Sequence, residues 1–170
     1  MEPSTSFEQY PIRTVIQSNV VSLGIYGLGI FIMNTLGLTF SILYALALLI
    51  FEYRLFRYHC TNCYYWGKTC GFGKGRISAV LFKKGDSSKF CAKKMTWQEL
   101  IPDILISLIP VVVGIVQLIV HFDPAVLFAL ILILFLTTTG NGYIRGSLTC
   151  KYCKQRELGC PAEMLFSKAR

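Results

Sequence analysis

Acidic and histidine side chains are scarce in this sequence. There are nine Asp and Glu against seventeen Lys and Arg, and two His, in 170 residues. That supply offers no paired-carboxylate, Ser/His/Asp or Cys/His arrangement of the kind that acid–base or nucleophilic catalysis requires. Charged residues of either sign make up only 15% of the chain, too few for a disordered polyelectrolyte. Gly67-Lys68-Thr69 has the ending of a phosphate-binding loop, but position 62, where that motif needs Gly, is Asn. The stretch also follows an apolar run too long for a buried strand, which excludes nucleotide binding of that type. Asn-x-Ser/Thr sequons are absent.

What the chain has instead is apolar length. It is 54% hydrophobic, beyond an ordinary soluble domain. Residues 15–33, 36–51, 104–120 and 125–139 are nearly free of charge. A bilayer span needs roughly 17–25 mostly apolar residues. The first and third runs meet that length alone, and the second and fourth do so with their flanks. The first does not read as a signal peptide, because it lacks a basic leader and a small-residue cleavage site and a second run follows at once. The expected fold is an all-α integral membrane protein with four transmembrane helices, at about 14–33, 36–56, 101–120 and 125–144. They form two helical hairpins, 13–57 and 97–145. Residues 1–12 make an N-terminal surface arm, 58–96 a Cys-rich loop and 146–170 a Cys-rich tail.

Basic residues set the orientation. The turns at 34–37 and 121–124 contain no Lys or Arg, and all seventeen fall on the other side. Both termini and both Cys-rich segments are therefore expected to be cytoplasmic in a multi-pass protein. The +8 formal charge follows from this bias together with contact to anionic lipid headgroups, and calls for no nucleic acid. Lys68, Lys74, Arg76, Lys83, Lys84, Lys93 and Lys94 are the candidate contacts for lipid or a protein partner. Ser18, Ser22 and Gly29, answered by Ser41 and Ala45, are small residues spaced for close helix packing. Glu52 is expected to pair near Arg54 and Arg57. His121 and Asp123 lie at a far turn.

Six of the seven cysteines fall in two identically spaced copies, Cys60-x2-Cys63-x6-Cys70 and Cys150-x2-Cys153-x6-Cys160. Each copy follows a hairpin and precedes a similar string, Leu81-Phe82-Lys83-Lys84 and Leu165-Phe166-Ser167-Lys168. This implies a duplicated unit of roughly ninety residues. Two such hairpins of parallel topology are related by an axis along the membrane normal, which brings both Cys motifs to one end of the bundle.

In a reducing cytosol such a pattern points to metal or redox chemistry rather than to disulfides. Zinc wants four ligands and each copy offers three. The twin pattern resembles the six-cysteine binuclear zinc cluster of fungal transcription factors. The resemblance covers only the six cysteines and implies a shared cluster with bridging thiolates, with nothing carried over about DNA. Alternatively each half recruits a fourth ligand, His59 or Cys91 for the first, or the two C-x2-C pairs make one four-thiolate site. An iron–sulfur cluster is the chemical rival, since Cys160-Pro161 is similar to the Cys-Pro ending of ferredoxin runs, although the preceding spacing departs from theirs. The expected function is a zinc-stabilised membrane scaffold or accessory subunit. The alternatives are a membrane-anchored iron–sulfur or thiol redox protein and a small transporter acting as a homo-oligomer.

Overall fold

The computed structural model describes residues 6–92 and 97–160, without the side chains of residues 89, 91, 92, 97–100, 102 and 103. It is all-helical. Among the described residues there is no strand, only an isolated parallel bridge between Phe7 and Cys153. Three helical stretches, Ile12–Asn34, Leu38–Asn62 and Pro124–Tyr152, are long and apolar enough to cross a membrane. They mark the chain as a membrane protein. The fourth apolar stretch, Ile104–Val120, is shorter.

The helices are α1 (Ile12–Asn34), α2 (Leu38–Tyr58), α3 (Lys74–Leu81), α4 (Ser87–Ala92), α5 (Trp97–Val120), α6 (Pro124–Phe135), α7 (Asn141–Tyr143) and α8 (Lys154–Gly159). They belong to two compact units. One comprises Met1–Asn19, Tyr53–Thr96 and Tyr143–Arg170, the other Val20–Glu52 and Trp97–Gly142.

The second unit has an apolar core. Ile32 is fully buried against Ala129, Leu130 and Ile133, with Ile25, Leu28 and Leu118 packed around them. Met33, Tyr44 and Leu48 form a second cluster. Gly29 makes room for Tyr44, since a Cβ there would stand 2.8 Å from the ring, and the Tyr44 hydroxyl donates to the Ile106 carbonyl at 3.2 Å. The small-residue spacing in the first span thus accommodates a ring from the second. Outward-facing Leu23, Leu43, Leu49, Ile119 and Phe128 are exposed, a surface suited to hydrocarbon rather than water. Glu52 accepts a 2.6 Å hydrogen bond from Tyr26, so its neighbour on the first span is a phenol.

α5 is described from Trp97 and is helical through position 102. Thr96 and the side chain of Asp103 lie outside the described residues. Asp123 caps α6 by accepting from the Ala125 amide at 2.8 Å. Beyond Phe135 the last helix loosens into π turns at Leu136–Gly140 and Ile144–Thr149. The Thr-Thr-Thr-Gly-Asn-Gly run accounts for this. The Thr137 and Thr138 hydroxyls donate back to the Ile133 and Leu134 carbonyls, and the glycines weaken the helix locally.

In the first unit, residues 77–82 belong to α3 and its C-cap. Gly75 is indispensable there, because a Cβ would collide with the Tyr65 carbonyl and stand 2.5 Å from that of Lys68. At the turn before α4, Asp86 accepts from the Ser88 amide and hydroxyl.

Candidate functional site

The two Cys-x2-Cys segments fold the same way. Each first Cys opens a 3-10 turn, Cys60–Asn62 and Cys150–Tyr152. The second Cys closes it through its amide, Cys63 to the Cys60 carbonyl at 3.4 Å and Cys153 to the Cys150 carbonyl at 3.3 Å. The residue three further on donates back to that second Cys, Trp66 to Cys63 and Arg156 to Cys153, both at 3.0 Å. The Tyr65 amide beside Cys63, and the Gln155 and Arg156 amides beside Cys153, partly offset the rise that burial imposes on these thiols.

The two turns are stitched together reciprocally. The Tyr64 amide, just after Cys63, donates to the Gln155 side-chain oxygen at 2.8 Å. The Lys154 amide, just after Cys153, donates to the Tyr65 hydroxyl oxygen at 2.9 Å. Tyr65 and Gln155 each stand two residues after the second Cys of their copy, and both are buried. Gly71, following Cys70, packs on Thr149, preceding Cys150, where a Cβ would meet Thr149 Cγ2 at 2.6 Å.

The N-terminal segment, expected as a surface arm, threads between the copies. The Phe7 amide donates to the Tyr152 carbonyl at 3.0 Å, and the Phe7 carbonyl accepts from the Tyr65 hydroxyl at 2.6 Å. The Tyr10 amide donates to the Thr69 carbonyl at 2.9 Å, while its hydroxyl donates to the Thr149 carbonyl. Tyr10 is 5% exposed. The rings of Phe7, Tyr10, Tyr65 and Tyr152 pack edge-on or tilted within 5.6 Å of one another in successive pairs. Glu8 accepts from the Tyr64 hydroxyl and from Lys68 Nζ at 3.3 Å.

All six motif cysteines are free thiols. Cys150 is exposed and the other five are half-buried. Burial pushes the Cys63 thiol up to about 12, and the neighbouring Cys153, Cys70 and Cys160 add to the rise. Burial raises Cys153 as well, with Cys150 and Cys160 contributing. The copies therefore lie within electrostatic reach of each other. Among the described residues, however, no three of His, Cys, Asp and Glu converge on one point to hold an ion. His59 packs edge-on to Phe90, with centroids 6.3 Å apart. Lys68 is engaged by Glu8 and sits 4.1 Å over the Tyr64 ring. Lys74 is half-buried with its ammonium 6.0 Å from the Phe56 ring, and Arg76, Lys83 and Lys84 are exposed. The Cys91 side chain, Lys93, Lys94 and the string at 165–168 lie outside the described residues.

Tyr10, Tyr65, Thr149 and Gln155 are absent from the sequence-derived site. For Tyr65 and Gln155 a signal existed, their equivalent register after Cys63 and Cys153. For Tyr10 none did. Comparison with protein-family models, with curated proteins and with solved structures finds no significant match.

Proposed function

We propose that this chain is a four-span membrane protein built from two duplicated hairpin units. Its two Cys-x2-Cys-x6-Cys copies form one structural zinc centre on the cytoplasmic face. The centre holds the hairpins together and presents a surface that docks a protein partner or anionic lipid, so that the protein works as a scaffold or accessory subunit. The observation that carries this reading is the pair of like-folded turns joined by the Tyr64–Gln155 and Lys154–Tyr65 hydrogen bonds. Cys60, Cys63, Cys70, Cys150, Cys153 and Cys160 would hold the ion, and a structural zinc contributes on the order of 10 kcal/mol of folding stability.

The test is metal analysis with a visible spectrum on protein purified anaerobically in detergent. The expected result is about one to two zinc ions per chain and no colour. Iron with sulfide and a brown chromophore would replace the scaffold reading with electron transfer. A metal-free protein whose thiols oxidise in pairs would point to thiol chemistry.

A further inference from the structure

α3 has two opposed faces. Gly75 and Ser78 face inward and are buried, Ser78 completely. Ile77, Val80 and Leu81, spaced three and four apart on the other side, are 49%, 86% and 60% exposed. Lys74 and Arg76 precede this apolar face, Lys83 and Lys84 follow it, and no acidic residue falls between positions 74 and 84.

The position of α3 is fixed by contacts at both ends. A Cβ on Gly73 would meet Val15 at 2.9 Å, and the Asn19 side chain donates to the Phe72 carbonyl at 3.2 Å. Phe82, at the other end, stacks on Tyr53 with centroids 5.6 Å apart and lies under the Arg57 guanidinium at 5.8 Å. At about 1.5 Å per residue, Tyr53 lies about 7 Å before the end of α2 and Asn19 about 10 Å inside α1. α3 is thus held beside the first turns of one membrane-length helix and the last turns of the next. In a bilayer those turns occupy the boundary between headgroups and acyl chains.

We infer that α3 lies in the plane of the membrane surface, with Ile77, Val80 and Leu81 in the acyl boundary and Arg76, Lys83 and Lys84 on the phosphates of anionic lipids. It ties the Cys-bearing unit to the leaflet. A short helix with an apolar face, basic flanks and low net hydrophobicity is suited to that boundary, and each basic residue near an anionic surface adds attraction. This deepens the lipid-docking part of the proposed function and rests on α1 and α2 spanning the bilayer. It does not depend on the metal.

The experiment reconstitutes full-length V80W in phosphatidylcholine vesicles with and without phosphatidylserine, using lipids brominated high on the acyl chain, with the unsubstituted protein as reference for Trp66 and Trp97. L81W is a second probe at an exposed site. The expected result is loss of most of the introduced indole's fluorescence to brominated lipid and little to aqueous iodide. The quenching should increase with phosphatidylserine, and R76Q/K83Q/K84Q should abolish that increase. Quenching by iodide alone overturns the inference, as does shielding from both quenchers, which would mark a protein interface or a second copy. Metal measured on the same samples separates the two proposals. Metal without lipid quenching sinks this one alone, and lipid quenching without metal sinks only the zinc centre.

Discussion

The Tyr65 hydroxyl links both Cys copies to the N-terminal segment. Its oxygen accepts the Lys154 amide at 2.9 Å and its proton goes to the Phe7 carbonyl at 2.6 Å. The residue is 2% exposed, and burial pushes its phenol up to about 12, so it stays a neutral donor across the physiological range. One side chain from the first copy thereby satisfies backbone groups in the second copy and in the segment threaded between them.

Removing that hydroxyl strands the Lys154 N–H and the Phe7 carbonyl. Tyr65→Phe is expected to cost about 1–3 kcal/mol, the usual penalty for an unsatisfied buried polar group. Thermal unfolding in detergent measures it. Tyr64→Phe, which loses the hydroxyl's bonds to Glu8 and Lys68 in a surface cluster, should change stability by less than about 1 kcal/mol. Gln155→Ala should couple to Tyr65→Phe by about 0.5–3 kcal/mol, because both stitch the same pair of turns. Additive losses would show that the reciprocal bonds act independently.

A shared centre predicts effects that cross between copies. Cys60→Ser should lower metal content and also speed hydrogen exchange of amides at 150–160, and Cys150→Ser should do the same for amides at 60–70. Chelation of the unsubstituted protein should reproduce both changes. If each substitution loosens only its own copy, the copies bind separately and the single-centre proposal is wrong.

Gly75→Ala should destabilise the first unit by about 1–3 kcal/mol, the range for overpacking a tight site. The added methyl runs into two backbone carbonyls, Tyr65 and Lys68, and backbone cannot swing aside as a side chain can. Gly27→Ala, where nothing lies within 4 Å of the added carbon, is the matched control and should be neutral or slightly stabilising. Limited proteolysis of the 58–92 region, compared between the two variants, measures the difference.

Glu8 should titrate below the usual carboxylate value of 4.5. The Tyr64 hydrogen bond lowers it most, then the Lys68 hydrogen bond and the charges of Lys68 and Lys154. Because the folded chain binds this proton less readily than the unfolded chain, the contribution is present above pH 4.5. It fades as the pH falls through the lowered folded value. Glu8→Gln should remove that acid-side dependence while leaving stability at neutral pH little changed, since the pair is exposed. An unchanged acid limb in the variant would assign the dependence elsewhere.

The apolar runs revealed themselves in the sequence because a membrane span requires length and lack of charge, and both are counted directly along the chain. The turn at 121–124 that precedes α6 was legible for a related reason, since it separates two such runs. The weakening of the last helix was also foreshadowed by Thr137 to Gly142, although its form as two π turns was not.

The Cys pattern was visible as spacing, and spacing predicted two like-folded turns. It could not show that Tyr65 reaches across to Lys154, that Gln155 answers Tyr64, or that Tyr10 is buried between the copies. These contacts join residues up to 139 positions apart, and no local rule encodes them. Gly75 could be seen as a glycine in a flexible run, but only the fold presses it against two carbonyls. By itself the sequence determined an all-helical membrane chain and the places where its thiols recur. The tertiary structure alone decided which contacts join the thiol turns and that residues 6–10 pack against both. Hydropathy and spacing act within one stretch of chain, whereas burial and hydrogen-bond satisfaction are settled only when distant stretches pack.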